Sequence, residues 1–584
     1  MKELRHINKY FYKYRYRLLF GIIITICAKI FALFTPRLIG KSITIISKGL
    51  NNEVTKEVFR HELAMNIMYL IIAAIIAGVF TFLMRQTIIN VSRYIEYDLK
   101  NEVYQQYQRL SLNFYKSNRT GDLMNRISED VTKVRMYTGP AIMYTANMVT
   151  LFIVALIYML SVAPKLTLYT MLPLPLLSII IYKLSRVINK RSTIVQEYLS
   201  NLSTYTQESF SGISIIKSYG IEDQNNQAFA TLSNESKQKQ IDLTKVQALF
   251  FPSMILLIGI SNILVAYIGG MQYINGEIED IGTIAEFLIY VNMLTWPVAT
   301  VGWVTNLVQQ AEASQKRINA FLKQEPEVKN NNFNSTPIEG NIDFKNVTFI
   351  YPDTNIKALD GVSFSLKKGE TLAILGKTGS GKSTILDLIG RLYDVQEGSI
   401  TVDGVSIDQV NLNNLRDSIG YVPQDAFLFS DTIENNIMFG KEDATIDEVI
   451  EAAKNANVHK NIKKFTYGYQ TKLGERGITL SGGQKQRISI ARAIIKAPEI
   501  MLFDDCLSAV DTETEEKILN NLKKVSRGKT TIIVSHRVSS AKNADKIIVL
   551  DDGKIVQNGT HDYLINIDGY YKELYLNQLS SKEL

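Results

Sequence analysis

The chain has 584 residues, which is too long for one compact domain and predicts at least two. Hydrophobic residues make up 46% of it, a high share for a soluble enzyme, and they are clustered. The 64 basic and 57 acidic residues leave a net charge of +7, a balance that argues against nucleic-acid binding. The two cysteines, Cys27 and Cys506, exclude a disulfide framework, and no Cys/His cluster indicates zinc.

Apolar segments in the first half, each of roughly 20 residues, predict membrane helices. The six segments are centred near Ile26, Ala74, Ile153, Leu174, Leu257 and Tyr290. Basic residues before the first segment place the N-terminus in the cytoplasm by the positive-inside rule. The run from about Leu18 to Leu38 lacks a clear signal-peptide cleavage site, so we interpret it as the first membrane helix. The long polar stretches after the second and fourth segments then face the cytoplasm.

The polar stretch after the second segment has apolar residues at three- and four-residue steps, which predicts an amphipathic helix. These residues are Ile95, Leu99, Val103, Tyr107, Leu110 and Phe114. The Asn-, Pro- and charge-rich sequence from Lys323 to Pro337 predicts a linker. Beyond it, short β-branched runs alternate with helical patterns. We predict a multidomain chain: an all-α, six-helix transmembrane domain over residues 1–322, a linker over 323–340 and an α/β P-loop domain over 341–584.

A P-loop, Gly376-Lys-Thr-Gly-Ser-Gly-Lys-Ser383, lies between a predicted buried strand and a predicted helix. Its backbone N–H groups and the helix start would bind phosphates, with Lys382 at the β- and γ-phosphates and Ser383 on Mg²⁺. The predicted nucleotide contacts are Gly376, Lys377, Thr378, Gly379, Ser380, Gly381, Lys382, Ser383 and Thr384. A second predicted buried strand, 500–503, ends in Asp504 and Asp505, and Asp504 suits the Mg²⁺ shell.

Residues Leu480–Gln484 read Leu-Ser-Gly-Gly-Gln at the start of a predicted helix, an arrangement that can bind an anion or merely begin a helix. Together with the P-loop, this segment resembles the signature of ATP-binding cassette (ABC) proteins. The whole chain resembles an ABC exporter half-transporter. The resemblance implies ATP and Mg²⁺ as cofactors and a dimer in which each signature closes over the ATP of its partner. It assigns to the partner's ATP the residues Ser481, Gly482, Gly483 and Gln484.

The same resemblance implies roles for single residues. Tyr351 would stack on adenine, although an ordinary strand tyrosine is the alternative. Gln424 would touch Mg²⁺ and the attacking water, and His536, the switch histidine, would contact the γ-phosphate. Asp511 would lie in the D-loop, Ser508–Asp511, at the dimer seam. The implied coupling segments are Phe114–Asp130 and Gln207–Gly220, which would rest on the cassettes and contact the segment Gly474–Gly477, although peripheral helices packed only on their neighbours are the alternative.

Asp505 departs from the family pattern, because members that hydrolyse ATP well have Glu there as the base for water. Asp is one methylene shorter, and a misplacement of ~1 Å can cost on the order of 10²-fold in rate. An intact signature combined with Asp resembles one subunit of the heterodimeric bacterial multidrug exporters. We therefore favour a heterodimer with unequal sites over a homodimer with slow, symmetric sites. The catalytic set is Asp505, His536 and Gln424, and the metal set is Ser383, Gln424 and Asp504.

The membrane segments contain few charges. Lys29 lies mid-segment, where it would contact substrate, snorkel or pair within the bundle. Glu286 is expected to reach water near the outer end of the last segment. Trp296 and Trp303 share a helical face that Pro297 should kink, and they fit either the substrate path or an aromatic belt.

The predicted function is ATP-driven efflux of a small amphipathic or lipid-like cargo. The chain would lie among the lipids of a bacterial cytoplasmic membrane, with its N-terminus and ATPase domain inside the cell and no nucleic-acid partner. One alternative is an ATP-gated channel or regulatory subunit, which Asp505 favours and which Gln424 and His536 oppose. Another alternative is import by an exporter-like fold.

Overall fold

The computed structural model describes residues 2–474, 477 and 479–583. The chain forms two compact units. The first comprises Met1–Gln108 and Gly121–Gln324, and the second comprises Arg109–Thr120 and Glu325–Leu584. The short segment after residue 108 therefore belongs with the second half of the chain. Sequence alone had assigned this segment to the membrane domain.

The first half of the chain is helical in the described residues. The helices are α1 (Asn8–Lys13), α2 (Arg15–Leu50), α3 (Lys56–Arg109), α4 (Leu112–Ser117), α5 (Thr120–Asn125), α6 (Val131–Met136), α7 (Ile142–Val162), α8 (Pro164–Met171), α9 (Pro173–Ser211), α10 (Ile213–Tyr219), α11 (Glu222–Gln247), α12 (Phe250–Ile274) and α13 (Gly282–Leu322). A 3₁₀ turn, Glu3–Ile7, precedes them, and π turns at Arg126–Asp130 and Tyr137–Ala141 interrupt the third long helix.

Five helical stretches of the described chain are long and apolar enough to cross a membrane, judged by length and composition. They are Arg15–Leu50, Lys56–Arg109, Thr120–Val162, Glu222–Ile274 and Gly282–Leu322. Each contains one of the predicted apolar segments. The remaining predicted segment, near Leu174, falls in α9, where the side chains of Leu174, Leu177 and Ser178 lie outside the described part. A sixth span therefore stays a prediction.

The predicted apolar stripe is buried over its first three residues, on the polar extension of α3, whereas Tyr107 and Phe114 are half-buried and Phe114 lies beyond the end of α3. Ile95, Leu99 and Val103 expose at most 1% of their surface. The main apolar core of the first unit joins residues of α2, α7, α8, α12 and α13. Within it, the Tyr290 hydroxyl of α13 donates a hydrogen bond to the Leu33 carbonyl of α2 at 3.0 Å. The last long helix is thus held at the centre of this unit.

The expectation that Glu286 reaches water is wrong. Its side chain is only 6% exposed and accepts a hydrogen bond from the Tyr290 hydroxyl at 3.0 Å. The cause is a close approach of α2 and α13. A Cβ atom on Gly282 would lie 2.0 Å from the Gly40 carbonyl oxygen, and one on Gly40 would lie 3.1 Å from the Glu286 Cβ. Two glycines therefore let α2 cover the carboxylate.

The second unit is an α/β domain. After the first half its elements are β1 (Ile342–Ile350), β2 (Lys357–Leu366), β3 (Thr371–Gly376), α14 (Lys382–Ile389), β4 (Glu397–Val402), β5 (Val405–Ser406), α15 (Leu412–Asp417), β6 (Ile419–Val422), α16 (Ile433–Met438), α17 (Ile446–Asn455), α18 (His459–Ile462), a 3₁₀ turn (Gly468–Gln470), α19 (Gly482–Ile495), β7 (Ile500–Asp504), α20 (Thr512–Val525), β8 (Thr530–Val534), α21 (Val538–Ala541), β9 (Lys546–Asp551), β10 (Lys554–Gly559), α22 (His561–Leu564) and α23 (Tyr570–Glu583).

Two sheets organise this unit. The six-stranded sheet has the order β10-β9-β3-β8-β7-β6 and is parallel except for β10, whereas β2-β1-β4-β5 is antiparallel. Strands β3, β7 and β8 are almost wholly buried, as parallel strands covered on both faces must be. The predicted fold class, an all-α domain fused to an α/β P-loop domain, is confirmed.

Candidate functional site

The carboxyl ends of four neighbouring parallel strands bring most of the predicted site residues to one edge of the large sheet. Strand β3 leads into the P-loop and β8 leads to His536. Strand β7 ends at Asp504, and β6 ends two residues before Gln424. The register aligns the ends of β3, β8 and β7, because Val534 pairs with both Ile374 and Asp504. This edge is where open α/β sheets bind their ligands.

The P-loop wraps closely over the sheet because glycine occupies the tight positions. Gly376 and Gly381 have φ angles of 149° and 95°. A Cβ atom at either would lie 2.2 Å from a carbonyl oxygen, that of Leu550 or that of Ala358. The Ser380 hydroxyl is buried and has no hydrogen-bond partner among the described residues. An unpaired buried hydroxyl in a glycine cradle fits a phosphate ligand.

The remaining P-loop residues differ in their exposure to solvent. Lys377, Thr378 and Gly379 form the exposed crest of the loop. Lys382, 6% exposed, donates from its Nζ to the Gly376 carbonyl at 3.0 Å and to the Lys377 carbonyl at 2.7 Å. Burial lowers the pKa of Lys382, whereas the nearby carboxylates of Asp505 and Asp504 raise it. The loop thus holds a cation where the nucleotide phosphates are predicted.

The start of α14 and the end of β7 form a pair suited to Mg²⁺. The Ser383 hydroxyl donates to Asp504 Oδ1 at 3.0 Å. Asp504 is 4% exposed, and burial raises its pKa. The described residues contain no group of three or more His, Cys, Asp or Glu side chains that could hold a metal by itself. A hydroxyl and one carboxylate suit Mg²⁺ that arrives with phosphates, because this ion usually takes few protein ligands.

Asp505 and His536 lie together at this edge. The backbone N–H of Asp505 donates to the Val534 carbonyl at 3.0 Å, and the Asp505 carboxylate lies close enough to His536 for an electrostatic interaction. Burial raises the pKa of Asp505. Its φ angle of 40° is left-handed, a conformation that Asp adopts more readily than most side chains. Gln424 is exposed in the loop after β6.

Tyr351 belongs to an aromatic cluster that sequence reasoning missed. Its hydroxyl lies 3.0 Å from the Thr384 hydroxyl at the start of α14, and its ring packs edge-on against Tyr393 with centroids 5.6 Å apart. The Lys116 ammonium, from α4 of the same unit, lies 4.7 Å from the Tyr351 centroid and 5.1 Å from that of Tyr393. The available signal was that Lys116 falls in the predicted coupling segment.

The signature begins α19 with a reciprocal cap. The Ser481 hydroxyl accepts the backbone N–H of Gln484 at 3.4 Å, and the Gln484 side chain accepts the backbone N–H of Ser481 at 3.0 Å. Ser481 and Gly482 are exposed, while Gly483 packs against the D-loop. The preceding Leu480 belongs to an apolar core separate from the one that contains the P-loop helix. The signature helix α19 and the P-loop helix α14 thus pack into two different apolar cores of the unit.

The D-loop and the switch loop, which follows β8 and carries His536, are joined by a contact that the sequence did not reveal. Arg537 donates to the carbonyl oxygens of Ser508 and Val510 at 3.1 Å and 3.3 Å and forms an ion pair with Glu515. Asp511 caps α20 by accepting the Thr514 N–H at 2.9 Å, and this bond lowers the pKa of Asp511. The side chain next to the switch histidine therefore holds the D-loop backbone.

The predicted coupling contact at Gly474–Gly477 includes Glu475 and Arg476, which lie outside the described residues. The roles given to single residues by resemblance stay predictions.

Comparison with known proteins decides the family. The profile of the ABC transporter transmembrane region matches residues 18–298, and the ABC transporter profile matches residues 359–508. The chain is 35% identical over 583 residues to the multidrug resistance-like ATP-binding protein MdlA of Escherichia coli (strain K12), covering 99% of this chain and 97% of that protein. The chain belongs to the ABC transporter family. It is also 35% identical to the probable multidrug resistance ABC transporter ATP-binding/permease protein YheI of Bacillus subtilis (strain 168), covering 98% of this chain and 97% of that protein.

A solved structure extends the likeness to three dimensions. The ATP-bound structure of a bacterial Atm1-family ABC exporter superposes with a TM-score of 0.79 at 28% identity, covering 97% of this chain and 99% of that one. This ABC half-transporter is therefore a membrane protein that binds ATP and couples its ATPase to export. ABC exporters work as dimers. The resemblance read from the signature and the P-loop is confirmed.

Proposed function

We propose that this ABC half-transporter moves small amphipathic molecules out of the cell across a bacterial cytoplasmic membrane, with its N-terminus and ATPase unit inside. The observation that carries the cargo class is a cavity of about 320 Å³ between α9 and α13. Its walls combine apolar Ile181 and Val301 with polar Ser185 and Asn189 and the cation Arg186. The volume lies within the range of small-molecule sites, and the mixed lining suits a molecule with an apolar body and a polar head.

Tryptophan fluorescence can test this cavity directly. The chain has two tryptophans, and Trp303 lies next to Gly302 of the cavity wall. In a Trp296→Phe background, amphiphiles of one chain length and different head groups should shift the Trp303 emission. A Gly302→Val change should abolish the shift, because a Cβ there already meets the Ser185 hydroxyl at 3.2 Å. Gly270→Val is the matched control, since no atom lies within 4 Å of its added Cβ. Equal responses in both variants would contradict the site.

The transport cycle would use ATP with Mg²⁺, held by Lys382, Ser383 and Asp504, with Gln424 as a further metal contact. Asp505 would position the attacking water, and His536 would contact the γ-phosphate. In the described chain these groups share one sheet edge, which supports a common task. ATP-dependent, vanadate-sensitive uphill transport into inverted vesicles is the expected result. A steady downhill ion current on ATP binding would favour the channel, which Asp505 makes the second candidate. Movement in the opposite direction would favour import.

A partner chain is expected to cover apolar surface that the single chain leaves open. Helix α10 has no buried residue, and its Ile215 and Tyr219 are 61% and 77% exposed. On the second unit, Phe427, Phe429 and Phe439 are all exposed and pack against one another. Exposed apolar patches of this kind mark interaction sites. A second ABC half-transporter would account for both.

We favour a heterodimer because Asp505 occurs together with an intact signature. Under this proposal the chain's own P-loop holds ATP at the slower site, and Ser481–Gln484 completes the faster site with the P-loop and glutamate of its partner. The purified chain should hydrolyse ATP weakly, and a Glu-bearing partner should raise the rate. Purification of the native complex would identify its second chain. Robust turnover by this chain alone, unchanged by Asp505→Glu, would contradict the heterodimer.

A further inference from the structure

The C-terminal helix α23 is anchored to the ATPase unit at its first turn. Tyr571 is fully buried, with its hydroxyl 2.6 Å from His561 Nδ1 and its backbone N–H donating to Gln557 Oε1 at 3.0 Å. Its ring belongs to the apolar cluster that contains Leu375 of β3 and Val538 of α21. The helix is therefore held against the strand that leads to the P-loop. This anchoring involves none of the residues placed at the ATP site.

Two turns further on, Gln578 spans the switch loop. Its Nε2 donates to the His536 carbonyl at 2.9 Å, and its Oε1 accepts the backbone N–H of Val538 at 2.8 Å. Val538 is the first residue of α21, and N–H groups in the first turn of a helix have no partner within that helix. One side-chain amide thus satisfies a helix start and fixes the carbonyl of the switch histidine. Replacing the amide would release both ends at once.

We propose that Gln578 is a positioning residue for His536, which makes the C-terminal helix part of the hydrolytic machinery. The proposal rests on the proposed role of His536 at the γ-phosphate. The Asp505 backbone N–H donates to the Val534 carbonyl, two residues before His536, at 3.0 Å. A shift of the loop that carries His536 would therefore displace this side chain relative to Asp505. A displacement of ~1 Å in a catalytic group can lower a rate by on the order of 10²-fold.

The test measures single-turnover ATP cleavage by the full chain in lipid nanodiscs, which does not require a fast site. Gln578→Leu removes both hydrogen bonds at similar volume, whereas Gln578→Glu can still accept from Val538 but cannot donate to His536. We expect the cleavage rate to fall about tenfold in Gln578→Leu, because each lost bond typically costs a fewfold factor, and at least as much in Gln578→Glu, because its carboxylate oxygen would face the His536 carbonyl oxygen. The dissociation constant for ADP should change less than about twofold, because the P-loop is untouched. Removal of the residues after Leu576 should reproduce Gln578→Leu.

Two controls separate the outcomes. Gln557→Leu removes a bond that anchors α23 without touching the switch loop, and it should cleave ATP at nearly the parent rate. An equal loss in Gln557→Leu and Gln578→Leu would overturn the proposal, because helix anchoring would then explain both. Parental cleavage by Gln578→Leu, with cleavage lost in His536→Ala, would overturn the role of Gln578 alone. Parental cleavage by His536→Ala would overturn the proposed role of His536 as well.

Discussion

Replacement of Asp387 by Asn is expected to stabilise the ATPase unit in a pH-dependent way. Asp387 lies in α14, the helix that follows the P-loop, and burial raises its pKa from 3.8 to about 6. The Lys116 cation opposes this shift, and the Asp504 carboxylate adds to it. Folding therefore requires either protonation of Asp387 or burial of its charge. Asn keeps the size of the side chain and removes the charge.

The sign and size of the stability change in Asp387→Asn follow from proton linkage. In the unfolded chain Asp387 loses its proton near pH 3.8, whereas in the folded unit it does so near pH 6. The proton-dependent part of the stability is complete below pH 3.8 and is lost as the pH rises through 6. Because the two pKa values differ by about 2 units, folding with Asp387 ionised costs about 3 kcal/mol of stability above pH 7 and about 1.6 kcal/mol at pH 5. The advantage of Asn should thus grow by about 1.4 kcal/mol, or about tenfold, between pH 5 and pH 8.

The chain offers its own probe for this measurement. Cys506 is 3% exposed in the second unit, and Cys27 is the only other cysteine. In a Cys27→Ser background, a thiol reagent labels Cys506 at a rate set by opening of the unit when closing is fast. At each pH the labelling rate of the parent chain is divided by that of Asp387→Asn, so that the intrinsic reactivity of the thiol cancels. Asp353→Asn, at an exposed turn, is the matched control and should give a constant ratio near one. A pH-independent ratio for Asp387→Asn would refute the burial argument.

The same single-thiol assay serves two further predictions. Gly483→Ala places a Cβ 2.7 Å from the Ala509 carbonyl oxygen, so the D-loop must shift and labelling should rise about tenfold, whereas Gly482→Ala, with its nearest atom at 3.7 Å, should stay within about twofold. Equal effects would show that the D-loop yields without strain. Glu515→Gln removes the buried carboxylate, 1% exposed, that pairs with Arg537. The unit should lose about 2 kcal/mol of stability, less than for a fully buried pair, because solvent still reaches the arginine. Adding Arg537→Gln should restore part of the loss, and a further loss would contradict the ion-pair explanation.

Much of the fold and the ATP site could be predicted because their signals are local. The P-loop begins at the end of buried strand β3, and Asp504 and Asp505 lie at the end of buried strand β7. Because the carboxyl ends of parallel strands meet at one edge of a sheet, the sequence could place these residues together. Glu286 could not be placed, because its burial depends on the meeting of Gly40 and Gly282, more than two hundred residues apart in sequence. Gln578 and its bond to His536 likewise follow from the docking of α23, which no local pattern specifies. Long-range packing decides such contacts, and a single sequence does not display it.

The switch loop gathers connections that bear on how the two unequal sites of the proposed heterodimer could communicate. The Asp505 backbone N–H donates to the Val534 carbonyl just before this loop, Arg537 holds the D-loop carbonyls, and Gln578 fixes the loop from the C-terminal helix. The D-loop is predicted to lie at the dimer seam, so a displacement there would reach His536 through one side chain. This route does not pass through the P-loop. A site weakened in hydrolysis by Asp505 would therefore keep the physical means to report ATP occupancy across the seam, because the reporting contact is Arg537 and not the Asp505 carboxylate.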